Sequence, residues 1–387
     1  MSEASAVHVG MVAAEASGDQ LAAHLIAALR GRRPELRFSG IGGPKMQAQG
    51  FESDVPMDRL GVRGYAEVLR HYREIVGIRS RLAERLLREK PAAFIGVDSS
   101  DFNLELAHRL KAAGIPSIQY VSPSIWAWRG WRRRRIVRSV THLLAIYPFE
   151  SALYEKDGLP VTYVGHPLAD VIPMEPDKAK ARLELRVPAG RIAIAMLPGS
   201  RRSELQYMGD LFVQTARRLL QDLPDAHFLV PTASRATREL FEAALRRHEA
   251  MDLPLTLLFG HSHEALAAAD LALVASGTAT LETALFKTPL VITYRQSPFT
   301  WTLMRRMIYL PHIGLPNILA DEYVVPEFVQ DKATPDTLAN ALLELAHDAD
   351  ARRRQVEAFH RIHAVLRQDT AQKAADAVLS VIDAGRA

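Results

Sequence analysis

The stretch from Asp270 to Phe286, DLALVASGTATLETALF, constrains the fold of this chain more than any other. A short apolar run, Leu271–Ala275, meets Ser-Gly-Thr and passes at once into a helix-forming run. In a parallel sheet this pattern directs the first N–H groups of the helix, and the positive end of its dipole, at the carboxyl edge of the strands. Open α/β sheets bind ligands at that edge. The stretch therefore predicts an anion site, for which a nucleotide diphosphate is the simplest occupant.

Apolar runs of strand length alternate with longer helical patterns along the whole chain. In the first half, strands are predicted at Val7–Ala14, Leu36–Ser39, Ala92–Val97, Ser117–Val121 and Leu143–Ile146, and helices near Asp19–Arg30, Glu67–Lys90 and Asn103–Ala113. In the second half, strands are predicted at Ile192–Leu197, His227–Val230, Leu255–Phe259 and Leu271–Ala275, and helices at Ser203–Asp222, Arg235–His248, His263–Ala269, Thr337–His347 and Ala351–Ala384. This alternation predicts the α/β class, with parallel sheets covered by helices on both faces.

The length of 387 residues exceeds what one ordinary core accommodates, so we expect two domains. We predict two Rossmann-like, doubly wound parallel-sheet domains that face a central cleft. The first covers 1–168, a charged linker with two prolines covers 169–190, and the second covers 191–365. The C-terminal helix, 366–387, is expected to pack back on the first domain.

The composition excludes several classes of protein. Lys and Arg number 48 against 44 Asp and Glu, so the net charge of +4 implies no global field for a polyanion. The absence of cysteine excludes disulfides, thiolate catalysis and Cys-based zinc sites. No run approaches the roughly 20 apolar residues that span a bilayer. The N-terminus has Glu3 and lacks a basic region before its apolar run, so a signal peptide is not expected. These features favour a cytoplasmic protein.

The turn at Ser276–Thr280 has two interpretations. Serine, glycine and threonine are ordinary residues at a helix start, so the turn could be a simple N-cap. However, Glu282 falls within about the first turn of the predicted helix, where its carboxylate could reach two ribose hydroxyls, as an acidic residue does in dinucleotide folds. We favour the nucleotide interpretation.

A second anion-suited turn is the segment Leu197–Glu204, LPGSRRSE. It follows the first strand of the second half and opens a helix, and its Arg201 could neutralise the charge on a departing diphosphate. The alternative is a capping box at Ser200 or Ser203 with exposed arginines. The segment lacks the lysine of a P-loop, so ATP hydrolysis is not supported.

The first half carries two acidic candidates. Glu15 is predicted at the end of the first strand, facing the cleft, whereas Ser17 and Asp19 are interpreted as caps of the next helix. Asp98 ends the strand Ala92–Val97 and is our candidate general base. The alternative for Asp98 is helix capping, a role that we assign rather to Asp101. A lone Gly-rich turn at 40–44 gives poor support for a nicotinamide cofactor.

Metal and cofactor signals are weak. Asp348-Ala-Asp350 spells a D-x-D motif, but it lies between two predicted helices, where capping is the better interpretation. His360 and His363 share a helix face without a third ligand. We predict no metal and no cofactor.

Two aromatic and basic stretches are candidates for a surface interaction. The first, at 126–138, contains Trp126, Trp128, Trp131, Arg132, Arg133, Arg134 and Arg135, and the second, at 298–307, contains Phe299, Trp301 and Met304. Nucleic acid, an anionic membrane surface and a solvated arginine face are the three interpretations. The pairing of the two stretches favours a lipid surface.

Many ordered motifs of the chain resemble those of the lipid-A-disaccharide synthase family, which are inverting glycosyltransferases of the GT-B fold. The matching segments are Glu15–Asp19, Ile41–Pro44, Asp101–Asn103, Tyr120–Trp128, Pro148–Glu150, Val164–Leu168, Leu197–Arg201, Ser276–Glu282, Leu315–Asn317 and Pro326–Phe328. Ala14, Ser100 and Arg63 depart from the residues usual in the family, which are Gly, Pro and Met. None of these departures removes a candidate chemical group.

The resemblance implies that UDP-2,3-diacylglucosamine condenses with 2,3-diacylglucosamine 1-phosphate (lipid X) to give a β-1,6-linked disaccharide and UDP, without a metal. It implies that the second domain binds UDP through Ser200, Arg201, Ser276, Gly277, Thr278, Thr280, Glu282 and Asn317. It also implies that the first domain binds the acceptor, with Asp98 as base and Glu15 nearby.

The implied partners are the two lipid substrates and the cytoplasmic surface of the inner membrane, with peripheral association and no nucleic acid. A homodimer is left open. The alternatives for the function are a UDP-sugar epimerase on the same fold and a non-enzymatic nucleic-acid-binding module.

Overall fold

The computed structural model describes residues 7–60, 65–126, 130–297, 300–302 and 310–385, without the side chains of 65–71. The chain divides into two compact units. The first comprises Met1–Asp170 and Leu366–Ala387, and the second comprises Val171–Val365. None of the helices in the described part of the chain has the length and apolar character needed to cross a membrane.

The first unit is built on a parallel sheet of seven described strands, in the order β3-β2-β1-β4-β5-β6-β7. These strands are β1 (Val7–Ala13), β2 (Leu36–Ile41), β3 (Glu52–Ser53), β4 (Ala93–Val97), β5 (Ser117–Tyr120), β6 (His142–Ala145) and β7 (Val161–Tyr163). The helices of this unit are α1 (Ala16–Arg32), α2 (Pro44–Ala48), α3 (Tyr65–Glu89), α4 (Ser100–Ala112), α5 (Arg133–Ser139) and α6 (Pro167–Val171), with 3-10 turns at Met57–Arg59, Gly130–Arg132, Pro148–Leu153 and Glu155–Asp157.

The second unit repeats this plan with six described strands, in the order β10-β9-β8-β11-β12-β13. They are β8 (Ile192–Leu197), β9 (Ala226–Thr232), β10 (Leu255–Phe259), β11 (Leu271–Ala275), β12 (Leu290–Tyr294) and β13 (Glu327–Val329). Its helices are α7 (Lys178–Glu184), α8 (Arg202–Leu219), α9 (Arg235–Arg247), α10 (Ser262–Ala268), α11 (Thr278–Leu285), α12 (Leu315–Ala320), α13 (Pro335–His347) and α14 (Ala349–Leu366), with a 3-10 turn at Gln330–Lys332. Helix α15 (Thr370–Ala384) lies in the first unit and packs on α1.

Each core lies between its sheet and the covering helices. In the first unit Phe94 of β4 is fully buried against α4, and in the second Phe228 of β9 is fully buried against Phe212 of α8 and Phe241 of α9. Strands β4 and β11 are buried along their whole length, which explains why they read as continuous apolar runs. The predicted α/β class with two parallel-sheet units is confirmed.

Both sheets reverse their strand order at the same place. The reversal lies between β1 and β4 in the first unit and between β8 and β11 in the second. In the first, Ala13 pairs with Val97, and in the second, Leu197 pairs with Val274, so the loops that follow each pair of strands begin side by side. Such a switch point is where open α/β sheets hold a ligand.

Several segments differ from the prediction. Strands β3, β7, β12 and β13 were not predicted, and two predicted segments have another structure. The region 169–190, predicted as a linker, belongs to the second unit from Val171 and contains α7, whose Lys178 and Arg182 form ion pairs with Asp270 at 2.6 and 3.0 Å. The single helix predicted over 351–384 is two helices, α14 and α15. It breaks before Thr370, where the carboxylate of Asp170 accepts hydrogen bonds from three successive backbone N–H groups, those of Gln368, Asp369 and Thr370.

Candidate functional site

A cavity of about 380 Å³ lies at the switch point of the second unit. Four segments at the carboxyl ends of strands line it: Gly199–Arg201 at β8, Pro231–Ala233 at β9, Gly260 and Ser262 at β10, and Ser276–Ala279 at β11. Leu197, Glu204, Ala275, Glu282 and Tyr294 complete the lining. The two turns that the sequence predicts as anion sites therefore share one cavity.

The turn after β11 opens α11 without a side-chain cap. Gly277 occupies the N-cap position and has no side chain, while the hydroxyl of Ser276 donates to the carbonyl of Ile313 at 2.9 Å. The N-cap of this turn is therefore Gly277, and the Ser276 hydroxyl is used elsewhere. Thr278 and Ala279 line the cavity, so the first turn of α11 directs its N–H groups and positive dipole end there.

Thr280 differs from its expected role. It is fully buried and absent from the cavity lining, and its hydroxyl donates to the Gly277 carbonyl at 2.8 Å. This bond closes the first turn of α11 from inside. Thr280 therefore shapes the turn rather than facing the cavity.

The loop after β8 is held by Glu204, a residue that we did not single out from the sequence. Its Oε2 accepts hydrogen bonds from the backbone N–H groups of Ser200 at 2.9 Å and Arg201 at 3.1 Å. Gly199 has a φ of +117°, and a Cβ there would lie 2.7 Å from the Cβ of Glu204, so only glycine fits. Neither Ser200 nor Ser203 is the N-cap of α8: Arg201 occupies that position, makes no side-chain cap, and donates its backbone N–H to Glu204.

Arg201 extends from this loop to the cavity. Its guanidinium Nη1 lies 3.1 Å from Oε1 of Glu204, and its side chain is 69% exposed. A guanidinium with that exposure keeps donors available for an anion in the cavity. The cation and the α11 turn together favour a diphosphate.

Glu282 lines the same cavity and contacts a histidine that sequence reasoning missed. Oε2 of Glu282 lies 3.6 Å from Nε2 of His263, which stands in the first turn of α10 and packs against the ring of Phe286. The neighbouring Glu282 carboxylate raises the pKa of His263 above its ordinary value. The pair fixes one side of the Glu282 carboxylate, and the spacing of His263 from Glu282 along the sequence gave no sign of it.

Asn317, expected to contact UDP, is completely buried and lies outside the cavity lining. Its amide nitrogen donates to the carbonyl of Val325 and to Oε1 of Glu327, both at 2.8 Å, and its oxygen accepts from the N–H groups of Val324 and Val325. The Glu327 carboxylate in turn accepts from the N–H groups of Ile313 and Gly314. Asn317 thus braces the loop whose Ile313 carbonyl receives the Ser276 hydroxyl.

Asp98 directly follows β4 at the switch point of the first unit and has a strained backbone conformation. Asp98, Ser99 and Val121 have φ angles of +56°, +33° and +75°, which L-residues rarely adopt and a β-branched residue especially disfavours. Asp98 and Val121 line one cavity of about 250 Å³, together with Ser100, Ser122–Ile125 and Arg132. Strain of this kind concentrates at functional sites.

Two buried amide side chains hold the strained turn. The Gln119 Nε2 donates to the Asp98 carbonyl at 2.9 Å, and the Asn103 Nδ2 donates to the same carbonyl at 3.0 Å. Gly96 makes room for both, since a Cβ there would lie 2.7 Å from the Asn103 Cβ. The Asp98 backbone is therefore fixed independently of any ligand.

The Asp98 carboxylate is half-buried and meets the start of α1. Its Oδ1 accepts from the Ser99 N–H at 2.8 Å, and its Oδ2 lies 3.5 Å from the Ser17 hydroxyl. Glu15 holds the N-cap position of α1 and is half-buried, but it is absent from the lining of the 250 Å³ cavity.

The interpretation of Asp19 as a cap of α1 is wrong. It is buried, and its carboxylate accepts from the N–H groups of Gly43, Lys45 and Met46 at 2.9 to 3.0 Å, so it caps α2. The Gly-rich turn at 40–44 is thereby explained as structure.

The basic and aromatic stretch divides into a buried and an exposed part. Trp126 packs edge-on against Tyr147 and Phe149, with ring centroids 6.0 and 5.4 Å away, and its Nε1 is buried. Arg132 is only 11% exposed and forms an ion pair with Asp101. Both residues are half-buried, so they are less exposed than the prediction of a lipid surface expects, and their contact with lipid stays a prediction.

Other members of the stretch are at the surface. Trp131 is 74% exposed, Arg134 is exposed, and Arg133 and Arg135 form ion pairs with Asp157 and Glu105 at 2.8 and 3.3 Å. Trp301 is half-buried. Trp128, Phe299 and Met304 lie outside the described residues.

A buried acid lies beneath the first-unit cavity. Glu150 is 1% exposed, and its Oε2 accepts from the N–H groups of Ile146 and Tyr147 at 3.1 and 3.0 Å. Burial raises its pKa to about 8. The Ser122 hydroxyl, from the loop that lines the cavity, lies 2.8 Å from the hydroxyl of Tyr154, which packs nearby.

The weak metal signals resolve into structural contacts. Asp348 accepts from the N–H groups of Asp350 and Ala351, which is the capping that we preferred. His363 is buried against Lys287, and His360 lies 3.9 Å from Glu175. Among the described residues, no group of three or more His, Asp or Glu side chains is arranged to hold a metal ion.

Comparison with known proteins assigns the chain to a family. Residues 9–381 match the family model of lipid-A-disaccharide synthetase. The chain is 57% identical over 374 residues to the lipid-A-disaccharide synthase of Azoarcus sp. strain BH72, which covers 97% of this chain and 96% of that protein. It is 56% identical over 380 residues to that of Dechloromonas aromatica strain RCB, covering 98% and 100%.

Solved structures share the fold at low sequence identity. MurG of Acinetobacter baumannii superposes with a TM-score of 0.56 at 17% identity, covering 97% of this chain and 99% of that one. A candidate UDP-N-acetylglucosamine 2-epimerase from Listeria monocytogenes superposes with a TM-score of 0.63 at 12% identity, covering 98% and 96%. The fold is therefore common to transferases and epimerases, whereas the family match separates them. This chain belongs to the lipid-A-disaccharide synthase family and is a glycosyltransferase with the GT-B fold.

Proposed function

We propose that the chain transfers 2,3-diacylglucosamine from UDP to the 6-hydroxyl of 2,3-diacylglucosamine 1-phosphate, with Asp98 as the general base and Arg201 stabilising the leaving UDP. The observation that carries this proposal is the chemistry of the two switch points. One has an uncapped helix start beside an arginine, and the other has a carboxylate on a strained backbone in a small cavity.

The donor role of the second unit is supported by its cavity. Its volume of about 380 Å³ lies within the range of roughly 300–1,000 Å³ that is typical of small-molecule sites. The α11 turn and Arg201 suit a diphosphate, and the Glu282 carboxylate suits the two hydroxyls of a ribose. We assign Ser200, Ser276, Gly277 and Thr278 to the diphosphate, and Thr280 and Asn317 to holding the turn.

The acceptor role of the first unit is supported by Asp98. A general base needs a carboxylate that reaches the reacting hydroxyl and keeps its position, and the Gln119 and Asn103 amides fix the Asp98 backbone. Glu15, at the N-cap of α1, is assigned to the same region.

The chemical step follows from these roles. Asp98 accepts the proton of the acceptor 6-hydroxyl while the oxygen of that hydroxyl attacks the anomeric carbon of the donor. The bond from that carbon to the UDP oxygen breaks on the opposite side, so the configuration inverts. The pair of electrons leaves with UDP, whose charge is met by the Arg201 guanidinium and the N–H groups of α11. No metal ion is required by this arrangement.

We also propose that the protein works at the cytoplasmic surface of the inner membrane. Both substrates carry acyl chains, and Trp131 and Arg134 offer an exposed aromatic ring and a cation of the kind that binds anionic lipid surfaces. Replacing Trp131 and Arg134 by alanine should reduce sedimentation with anionic liposomes and leave binding of UDP unchanged. Equal sedimentation of both proteins would contradict the membrane surface.

The function is tested by UDP release from UDP-2,3-diacylglucosamine, with and without 2,3-diacylglucosamine 1-phosphate. We expect release only when the acceptor is present, together with a disaccharide product seen by mass spectrometry. Conversion of the UDP-sugar without acceptor would indicate an epimerase. Salt-dependent binding of an oligonucleotide, with no turnover, would indicate a nucleic-acid-binding module.

A further inference from the structure

The lining of the first-unit cavity includes an arginine side chain that is more buried than the arginine of an ordinary surface ion pair. Arg132 lines the cavity with Asp98, and its side chain is 11% exposed. Its ion-pair partner, Asp101, is 76% exposed. The arginine side chain is thus largely shielded from water whereas its partner is not, and Arg132 lines a space that can hold a ligand.

The ion pair with Asp101 is easily replaced. Pairs that involve a solvent-exposed carboxylate contribute little, because water solvates the acid almost as well as the arginine does. A phosphate monoester carries more charge and three oxygens, and it can take two parallel hydrogen bonds from one guanidinium. Such an anion in the cavity would displace Asp101 into water.

A second feature makes the same cavity favourable for an anion. Helix α4, 13 residues long, begins at Ser100, which is part of the cavity lining. Its N-cap residue, Ser99, makes no side-chain cap. The positive end of the α4 dipole therefore adds to the Arg132 charge.

The size of the cavity limits what enters it. A volume of about 250 Å³ lies below the roughly 300–1,000 Å³ of drug-sized sites. This volume suits a sugar with its phosphate, but it is too small to hold acyl chains in addition. The occupant is then a small polar head group that presents a hydroxyl to Asp98.

We infer that Arg132 binds the phosphate monoester of the acceptor sugar and so orients the acceptor with its 6-hydroxyl toward Asp98. This inference rests on the proposed function. It separates Arg132 from the arginines of the same stretch that lie at the surface, and it gives the enzyme a way to prefer a phosphorylated acceptor.

The test compares two acceptors and two variants. The acceptors are 2,3-diacylglucosamine 1-phosphate and the same sugar without its phosphate, and the variants are Arg132→Ala and the control Arg138→Ala. Arg138 is an exposed residue of α5, so its removal changes the net charge equally. The wild type and Arg138→Ala should favour the phosphorylated acceptor in kcat/KM by about tenfold to a hundredfold, the effect of hydrogen bonds to a charged group. Arg132→Ala should lose this preference, with unchanged turnover of the unphosphorylated acceptor.

Each other outcome has a distinct meaning. Equal losses on both acceptors would make Arg132 a structural residue, and an unchanged preference would place the phosphate elsewhere, so either result overturns the inference. Loss of liposome sedimentation with the preference retained would assign Arg132 to a lipid phosphate. If the wild type turns over neither acceptor, the proposed function fails, and calorimetric binding of glucosamine 1-phosphate to the wild type but not to Arg132→Ala still tests the subsite.

A second variant covers misfolding of the first. Asp101→Asn removes the competing carboxylate and leaves Arg132 in place. We expect its KM for the phosphorylated acceptor to fall by about twofold to fivefold, since a screened, exposed pair is weak, with no change for the unphosphorylated one. A rise in KM specific to the phosphorylated acceptor would contradict displacement of Asp101 by phosphate.

Discussion

Glu204 accepts hydrogen bonds from both the backbone and the side chain of Arg201. Its Oε2 accepts a hydrogen bond from the Arg201 backbone N–H at 3.1 Å, and its Oε1 accepts one from the guanidinium at 3.1 Å. The carboxylate thus positions the loop after β8 and directs the arginine of that loop. It also places a negative charge in a cavity that we assign to a diphosphate.

Replacement of Arg201 by alanine should lower kcat by about 10²- to 10³-fold, the usual loss when one donor to a developing charge is removed. The matched control is Arg202→Ala, which removes a neighbouring exposed arginine that does not line the cavity. Steady-state UDP release measures both. Equal losses in the two variants would show a general effect of charge and contradict the role of Arg201.

Two substitutions of Glu204 should act in opposite directions on UDP binding. Glu204→Gln keeps an oxygen for the N–H groups of Ser200 and Arg201 but removes the charge, so UDP should bind at least as tightly as in the wild type. Glu204→Ala releases both N–H groups and leaves the loop after β8 less ordered. It should weaken UDP binding about tenfold, in line with the usual loss of free energy when a capping side chain is removed. Calorimetry with UDP decides; weaker binding in the glutamine variant would contradict the account.

Glu282 should discriminate ribose from deoxyribose. The wild type should bind UDP more tightly than 2′-deoxy-UDP by about tenfold, because a hydrogen bond to a charged group is lost. Glu282→Ala should bind the two equally, whereas the control Glu264→Ala, on α10, should keep the preference. A preference that survives in Glu282→Ala would assign the ribose to another residue.

The Glu282→Ala variant also tests the contact between Glu282 and His263. Glu282 raises the pKa of His263, so its removal should lower that pKa toward the ordinary value. Titration of the histidine ring by NMR measures this shift. An unchanged titration would mean that the two side chains do not interact in solution.

Glu150 should make the first unit less stable as the pH rises. Its pKa of about 8 in the folded chain lies above the 4.5 of an ordinary glutamate, so the folded chain retains a proton that the unfolded chain releases between these values. The free energy of unfolding therefore falls with pH across this window, with a slope that approaches about 1.4 kcal/mol per pH unit. Glu150→Gln, which stays neutral, should flatten the slope.

Urea unfolding at pH 5, 6, 7 and 8, each about one unit apart, measures this slope. Glu155→Gln is the matched control, since Glu155 is an exposed acid of the next turn. If the wild type and Glu150→Gln lose stability in parallel, Glu150 is ionised in the folded chain and the expected linkage is absent.

Local patterns were sufficient for the strands that position the nucleotide cavity. The predicted bounds of β8, β10 and β11 agree with the structure, because each is a mainly apolar run of strand length. The two-residue strand β3 has no such pattern and was not predicted. Neither was the break before Thr370, which depends on the Asp170 carboxylate about 200 residues earlier.

Side-chain roles were harder to predict where the partner is distant in sequence. Asp19 caps α2 through contacts 24 to 27 residues away, and Arg132 lines a cavity whose other walls follow β4 and β5. Asn317 was carried over from the family resemblance as a UDP contact, but every hydrogen-bonding group of its amide is used by the loop around it. The sequence identifies residue types at a strand end, and only tertiary contacts decide which of them face the ligand.

The most direct test of the account is the turnover of Asp98→Asn beside its affinity for UDP. Asparagine keeps the size of the side chain but cannot accept the proton of the acceptor hydroxyl, so kcat should fall by about 10²- to 10⁴-fold. UDP affinity, measured by calorimetry on the same preparation, should be unchanged, because Asp98 and the nucleotide cavity belong to different units. Near-normal turnover by a variant that still binds UDP would contradict Asp98 as the base and, with it, the proposed mechanism.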